Sequence, residues 1–202
     1  MSYTKKIALA SLYGHLLFLF VFILMHFLRP DKSYLKNFTS EYAVGDVGWL
    51  MTLGFLGVVT GALFIIIGLL MHFKPSKISV ITLSLWCVGM LLAALFKTDV
   101  PVEKTTVKGL IHGFAALLAF INLDIAMIAW GFIFNRNNNW KNIAKQSCFF
   151  GVMSIVLFVI FFMSPPSFRG LTQRILIVWD MLWLLLVNRA LFRNAIVYPK
   201  TA

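Results

Sequence analysis

Charge is what this 202-residue chain has least of: 12% of its residues are charged, and Asp and Glu together number only 7. With 60% hydrophobic residues and a mean hydropathy of +0.89, that scarcity excludes a soluble globular domain. Cysteine is nearly missing as well. Cys87 and Cys148 both fall inside apolar runs, with no CxxC and no Cys/His cluster, which excludes a disulfide framework and a zinc site and leaves two small core residues. No GxSxG, HExxH or paired HxxxH occurs, so the familiar local signatures of serine hydrolases and zinc proteases are missing. The formal charge of +11 comes from cations dispersed over short loops, a pattern that suits anionic lipid headgroups and not nucleic acid.

Long apolar runs are what the chain has in abundance. They cover approximately 7–28, 48–73, 78–96, 109–134, 146–164 and 170–192, and each is long enough to cross a hydrocarbon layer roughly 30 Å thick. Backbone groups find no water in lipid, so these runs are expected to be helices. The expectation is an all-α, polytopic six-helix bundle forming a single membrane domain over residues 1–202. Lys5 and Lys6 ahead of the first run suggest a signal peptide, but the run is too long and "MHFLRP" offers no small-x-small cleavage site, so it reads as a retained helix.

Six spans put both termini on one side. Asp31, Glu41, Asp46, Asp99 and Glu103 all fall on the opposite face, while Lys and Arg are divided between the two, with slightly more, Lys200 included, on the terminal face. The termini are therefore expected in the cytoplasm of a cell whose plasma or inner membrane holds the protein. In the second run Gly57 and Gly61 make a GxxxG pair, and Gly113, Ala115, Ala116 and Ala119 play a similar part in the fourth, so these two helices are expected to be neighbours. The 20 phenylalanines read as core and lipid-facing filler and imply no cofactor.

Ionisable groups inside the apolar runs are few, and each carries a cost at the bilayer centre that calls for a partner or a task. His15, Asp124 and Asp180 stand near mid-depth, where they would either fix helix register or relay protons. His26 and His112 lie at one level near the opposite edge, the one geometry here that would suit a bis-histidine haem, though nothing else supports it and no cofactor is expected.

The polar residues at the helix ends of the acid-bearing face are more suggestive. "TSEYAVGDVGW" precedes the second run, "FKTD" follows the third, "TTVKGLIHG" opens the fourth and "FRGLTQR" opens the sixth. Ser40, Glu41, Asp99, His112, Gln173 and Arg174 are thereby expected to converge on one outward-facing pocket. The bland readings are that Asp99 closes the third helix, Thr105 or Thr106 caps the fourth, Arg174 snorkels to a headgroup or pairs with Glu41, and Trp49 anchors at the interface.

The segments "SEYAVGDVGWLM", "FKTD", "TTVKGLIHGFAALLAF" and "RGLTQRILIVWDMLW" resemble, in order, those of the six-helix membrane proteins catalogued as domain-of-unknown-function family 998. The resemblance runs over nearly the whole chain. It implies that Ser40, Glu41, Tyr42, Gly45, Trp49, Asp99, His112, Gln173 and Arg174 belong to a shared design, and it implies no activity.

The reading favoured is non-catalytic: a bundle that binds a lipid, a small amphiphile or a partner protein at this rim, with Arg174, Gln173, Tyr42 and Trp49 as contacts. The alternative is a lipid-directed hydrolase or transferase with His112 as general base, Asp99 or Glu41 orienting it and Ser40 as nucleophile. A small transporter using His15, Asp124 and Asp180 is a third. Whether the protein is an enzyme stays open at this stage, as does its oligomeric state.

Overall fold

A computed structural model describes residues 2–100 and 105–195. Glu103 and Lys200, used above in weighing the two faces, lie outside the described residues. Six helices are long and apolar enough to cross a membrane, and no strand occurs among the described residues, so this is an all-helical, multi-pass membrane protein. They are α1 (Tyr3–Leu28), α2 (Gly48–His72), α3 (Lys77–Leu95), α4 (Val107–Phe134), α5 (Lys141–Met163) and α6 (Arg169–Arg193).

Two helices begin four or five residues ahead of their apolar runs, α1 from a side-chain cap and α5 without one. Ser2 caps α1 by accepting from Lys5 N (3.4 Å), and α5 starts directly behind Trp140. Each helix packs against the next in sequence, and α6 closes the ring against α1 and α2. An even number of alternating spans lets such a ring close with antiparallel neighbours throughout. Both ends of the described chain meet on one face, where Lys5 Nζ lies 5.4 Å from the centre of the Phe192 ring. That face is called here the terminal face and the other the rim face.

The small residues pair helices differently from the expectation drawn above. Gly57 and Gly61 of α2 face α1: an added Cβ at Gly61 would stand 2.9 Å from both Ser11 O and the His15 ring, and one at Gly14 would run into Gly57 O. Ala115 and Ala119 of α4 face Gly89 of α3, where a Cβ would lie 2.6 Å from Ala115 O. Close backbone approach is thus used within sequential pairs, α1 with α2 and α3 with α4, and not between α2 and α4.

On the rim face the α1–α2 connection folds inward. Its one ordered turn, the 3-10 helix Thr39–Ala43, is buried throughout and rests on α2 and α6. Glu41 Oε1 accepts from Phe38 N (2.9 Å), which closes the start of that turn. Gly45 then takes φ +97°, a left-handed conformation that favours glycine, and Gly48 passes so close to Ala43 O that no side chain would fit. These two glycines turn the chain into α2.

Candidate functional site

Six of the described polar residues at the rim, Thr39, Ser40, Thr98, His112, Arg169 and Gln173, are brought to one cavity by the inward-folded turn, the segment after α3, α4 and α6. Gln173 is anchored by accepting from Thr39 N (2.8 Å), which ties the 3-10 turn to the first turns of α6. Its amide nitrogen makes no hydrogen bond to the described residues, nor does the hydroxyl of Ser40.

His112 is oriented by the end of α3. Its Nδ1 lies 2.8 Å from Phe96 O and 3.1 Å from Ala93 O, and since both are acceptors, Nδ1 carries the proton. In the neutral ring Nε2 then holds a lone pair, and it has no partner among the described residues. His112 is thus both the group that closes α3 and a lone pair left over for something else.

The cavity has two adjoining parts, which share lining residues. The larger, about 450 Å³, lies between α4 and the rim ends of α5 and α6, within the size range of small-molecule sites. Ser40, His112, Ala116, Phe120 and Gln173 also border a smaller inner chamber of about 70 Å³ that runs between Phe55, Trp86 and Met181 down to Asp180. In the other direction Leu117, Phe158 and Phe162 continue into a wholly apolar depression on the α4–α5 flank, which includes Met163. Phe162 and Met163 are 72% and 77% exposed, so this side opens onto the apolar outer flank of the bundle. Gly113 borders the larger part, and a Cβ built on it meets nothing within 4 Å.

Other residues expected in one pocket sit elsewhere. Asp99 accepts from Thr106 N (2.8 Å) and Thr106 Oγ1 (2.7 Å), while Thr106 Oγ1 accepts from Gly109 N (3.1 Å). It therefore supports the start of α4 and not the end of α3, and these two hydrogen bonds hold its carboxyl below the usual carboxylate range. Only glycine at 109 leaves room for that carboxylate. The hydrogen-bond chain Ser40–His112–Asp99 does not form, because His112 Nδ1 is given to backbone carbonyls.

Glu41 and Arg174 belong to a separate polar cluster. Glu41 is 2% exposed and binds Asn37 Nδ2 (2.6 Å), Phe38 N and Lys32 Nζ (3.7 Å). Arg174, 7% exposed, donates to Asn37 O (2.7 Å), Gly170 O (2.9 Å) and His26 Nε2 (3.0 Å), and lies over the buried Tyr42 ring at 5.2 Å. No ion pair joins Glu41 to Arg174, since backbone carbonyls reach the guanidinium first. His26 Nδ1 faces Phe22 O (2.7 Å), so both its nitrogens are occupied and neither offers a lone pair to haem iron. Trp49 is 62% exposed at the start of α2 and lines neither part of the cavity.

The mid-depth groups also divide. Ser154 Oγ donates to Asp180 Oδ1 (2.7 Å), and Asp124 stands beside the same serine with Oδ1 unpartnered. His15 is fully buried on the other side of α6, with Nδ1 3.4 Å from Ser11 Oγ, which also accepts from Asn188 (3.2 Å). No hydrogen bond or ion pair joins His15 to either carboxylate. Among the described residues no cluster of three His, Cys, Asp or Glu side chains offers a metal site.

Comparison with known protein families places the sequence in one of them. A family model described as Protein of unknown function (DUF998) matches residues 12–190, which include every residue of the cavity. The chain belongs to the DUF998 family. No curated protein and no solved structure matches it. In this DUF998 chain the residue that sequence reasoning passed over is Arg169, which lines the larger part of the cavity. The signal available for it was only its place at the head of "RGLTQR"; its neighbour Arg174 drew the attention because it lies deeper in the apolar run.

Proposed function

We propose that this protein binds a membrane amphiphile in the rim-face cavity, admitting it sideways from the bilayer between α4 and α5. One observation carries the reading: a cavity whose inner wall presents the unpartnered polar groups of Ser40, His112 and Gln173 adjoins an apolar flank with which it shares Leu117, Phe158 and Phe162. An amphiphile has that polarity gradient, and a water-soluble ligand does not. The rim is taken to face away from the cytoplasm of a plasma or inner membrane, as the placement of the acids suggests.

Gly113→Phe tests the binding reading directly. The new ring would enter open space, so the variant should fold as the parent does while its cavity is filled. In native mass spectrometry from lipid nanodiscs, the lipid adducts of the parent should disappear in the variant; adducts of equal intensity would overturn the reading.

A second reading, hydrolysis of a lipid ester in the same cavity, is favoured by the His112 tautomer, which leaves Nε2 as a base beside a cavity that Ser40 also lines. Backbone carbonyls would orient that base in place of a carboxylate. Ser40 makes no hydrogen bond to the described residues, so Ser40→Ala should leave the melting temperature unchanged and abolish release of fatty acid from a lipid ester. Persistent release would sink this second reading.

A further inference from the structure

The same cavity has a charged mouth that narrows the class of amphiphile, and the inference rests on the binding reading just given. We infer that the ligand is a lipid with an anionic, phosphate-type headgroup, seated between Arg169 and Lys36 where the cavity reaches the rim surface.

Arg169 and Phe38 line both the larger part of the cavity and a surface depression of about 430 Å³ that adds Lys36, Asn37 and Ser167. The two spaces share these side chains as a common wall. Arg169 donates only a long bond to Ser164 O (3.3 Å) and pairs with no carboxylate among the described residues.

The other rim arginines differ. Arg29 is held by Asp31 (2.7 Å), and Arg174 gives Nε to His26 and Nη1 to two carbonyls, its Nη2 being buried without a partner and outside the cavity lining. The one acid bordering the depression, Glu41, has both oxygens engaged, by Asn37, Phe38 N and Lys32. Among the described residues the positive charge of Arg169 and Lys36 therefore has no local balance at this mouth, and a guanidinium is shaped to grip two oxygens of one phosphate.

Among the described residues the only carboxylate at this depression is the engaged one of Glu41, which separates anionic from zwitterionic lipids. A phosphocholine headgroup would bring a quaternary ammonium to a site where Glu41 is already spent and Lys36 repels it. A phosphoglycerol or phosphatidic acid headgroup meets no such conflict. The acyl chain of such a lipid would lie along Leu117, Phe158, Phe162 and Met163, which begin where the polar wall ends.

The test uses the full chain in nanodiscs holding equal amounts of phosphatidylglycerol and phosphatidylcholine, with bound lipid read by native mass spectrometry. The parent protein should carry phosphatidylglycerol in about tenfold excess over phosphatidylcholine, the worth of one charge-assisted pair. Arg169→Gln should bring that ratio near one while total lipid occupancy persists. An excess that Arg169→Gln leaves unchanged, or no excess in the parent, would overturn the headgroup inference and leave the cavity reading standing. Occupancy that survives Gly113→Phe would overturn the cavity reading itself. Lys36 is exposed, so Lys36→Gln repeats the measurement without risk to the fold if Arg169→Gln expresses poorly, and it should lower the ratio in the same direction.

Discussion

The two ends of the α4–α5 pair are built from similar residue types and end in opposite states. Toward the terminal face Gly131 lies against Cys148 Sγ and Ala144 O, and Gly151 against Asp124 O, so the backbones touch. Ser147 Oγ donates to Met127 O (2.7 Å) across that contact and accepts from Trp183 Nε1 (2.7 Å). Beyond it the stacked rings of Phe134 and Trp140, 5.2 Å apart, with Phe73 at 5.1 Å from Trp140, close the end of the bundle.

Toward the rim face Gly113 and Ala116 are just as small, yet the helices stand apart around a cavity. Phe158 and Phe161 of α5 meet Phe120 at 5.8 and 6.2 Å and hold the two helices open like spacers. Small residues permit close approach; the bulk on the facing helix decides whether it happens.

The contrast can be broken most sharply with two leucines on one helix. Gly131→Leu should cost about 3 kcal/mol or leave the protein unfolded, because the new side chain collides with Cys148 and the α5 backbone. Gly113→Leu should shift stability by under about 1 kcal/mol, since it enters open space. Thermal unfolding in detergent measures both, and equal effects would erase the distinction between a packed end and an open one.

Two arginines sharpen the comparison within the rim itself. Arg174→Gln strips donors from Asn37 O, Gly170 O and His26, so it should destabilise by about 2–3 kcal/mol. It should not change which lipid is bound. Arg169→Gln should stay within about 0.5 kcal/mol of the parent while changing lipid preference. The reverse pattern would place Arg174 at the ligand and Arg169 in the scaffold.

The smallest effect concerns Asp99. Its folded pKa lies below the ordinary value of about 3.9, so its support of α4 is present above that value and is lost as pH falls through the lower, folded one. The Thr106 amide resonance should titrate with a midpoint under about 3.9 and become pH-independent in Asp99→Asn. A midpoint at or above the ordinary value would mean that the two Thr106 bonds are not made in solution.

Much of this was legible in the chain itself. The apolar runs located all six helices, since a bilayer sets a minimum length that few other structures satisfy. The threonine pair at 105 and 106 announced the cap on α4, which Thr106 makes. The gathering of Ser40, His112 and Gln173 was expected from their places at helix ends, but the expectation also drew in Asp99, Glu41 and Arg174. Sequence distance shows that a residue is near the rim and not which way it turns. Asp99 is captured by Thr106, seven residues away, and Arg174 by Asn37 O and His26, 137 and 148 residues away.

By itself the sequence determined the class of the molecule, the number of spans and the polar character of one face, because these depend on local composition measured against the thickness and polarity of a membrane. The tertiary structure alone decided which small residues are contacts and which are openings, and which of two arginines lines the cavity. Those outcomes turn on what stands opposite each side chain, and for Gly113, Gly131, Arg169 and Arg174 that is set by neighbouring helices and an inward-folded turn, not by the residues beside them in the chain.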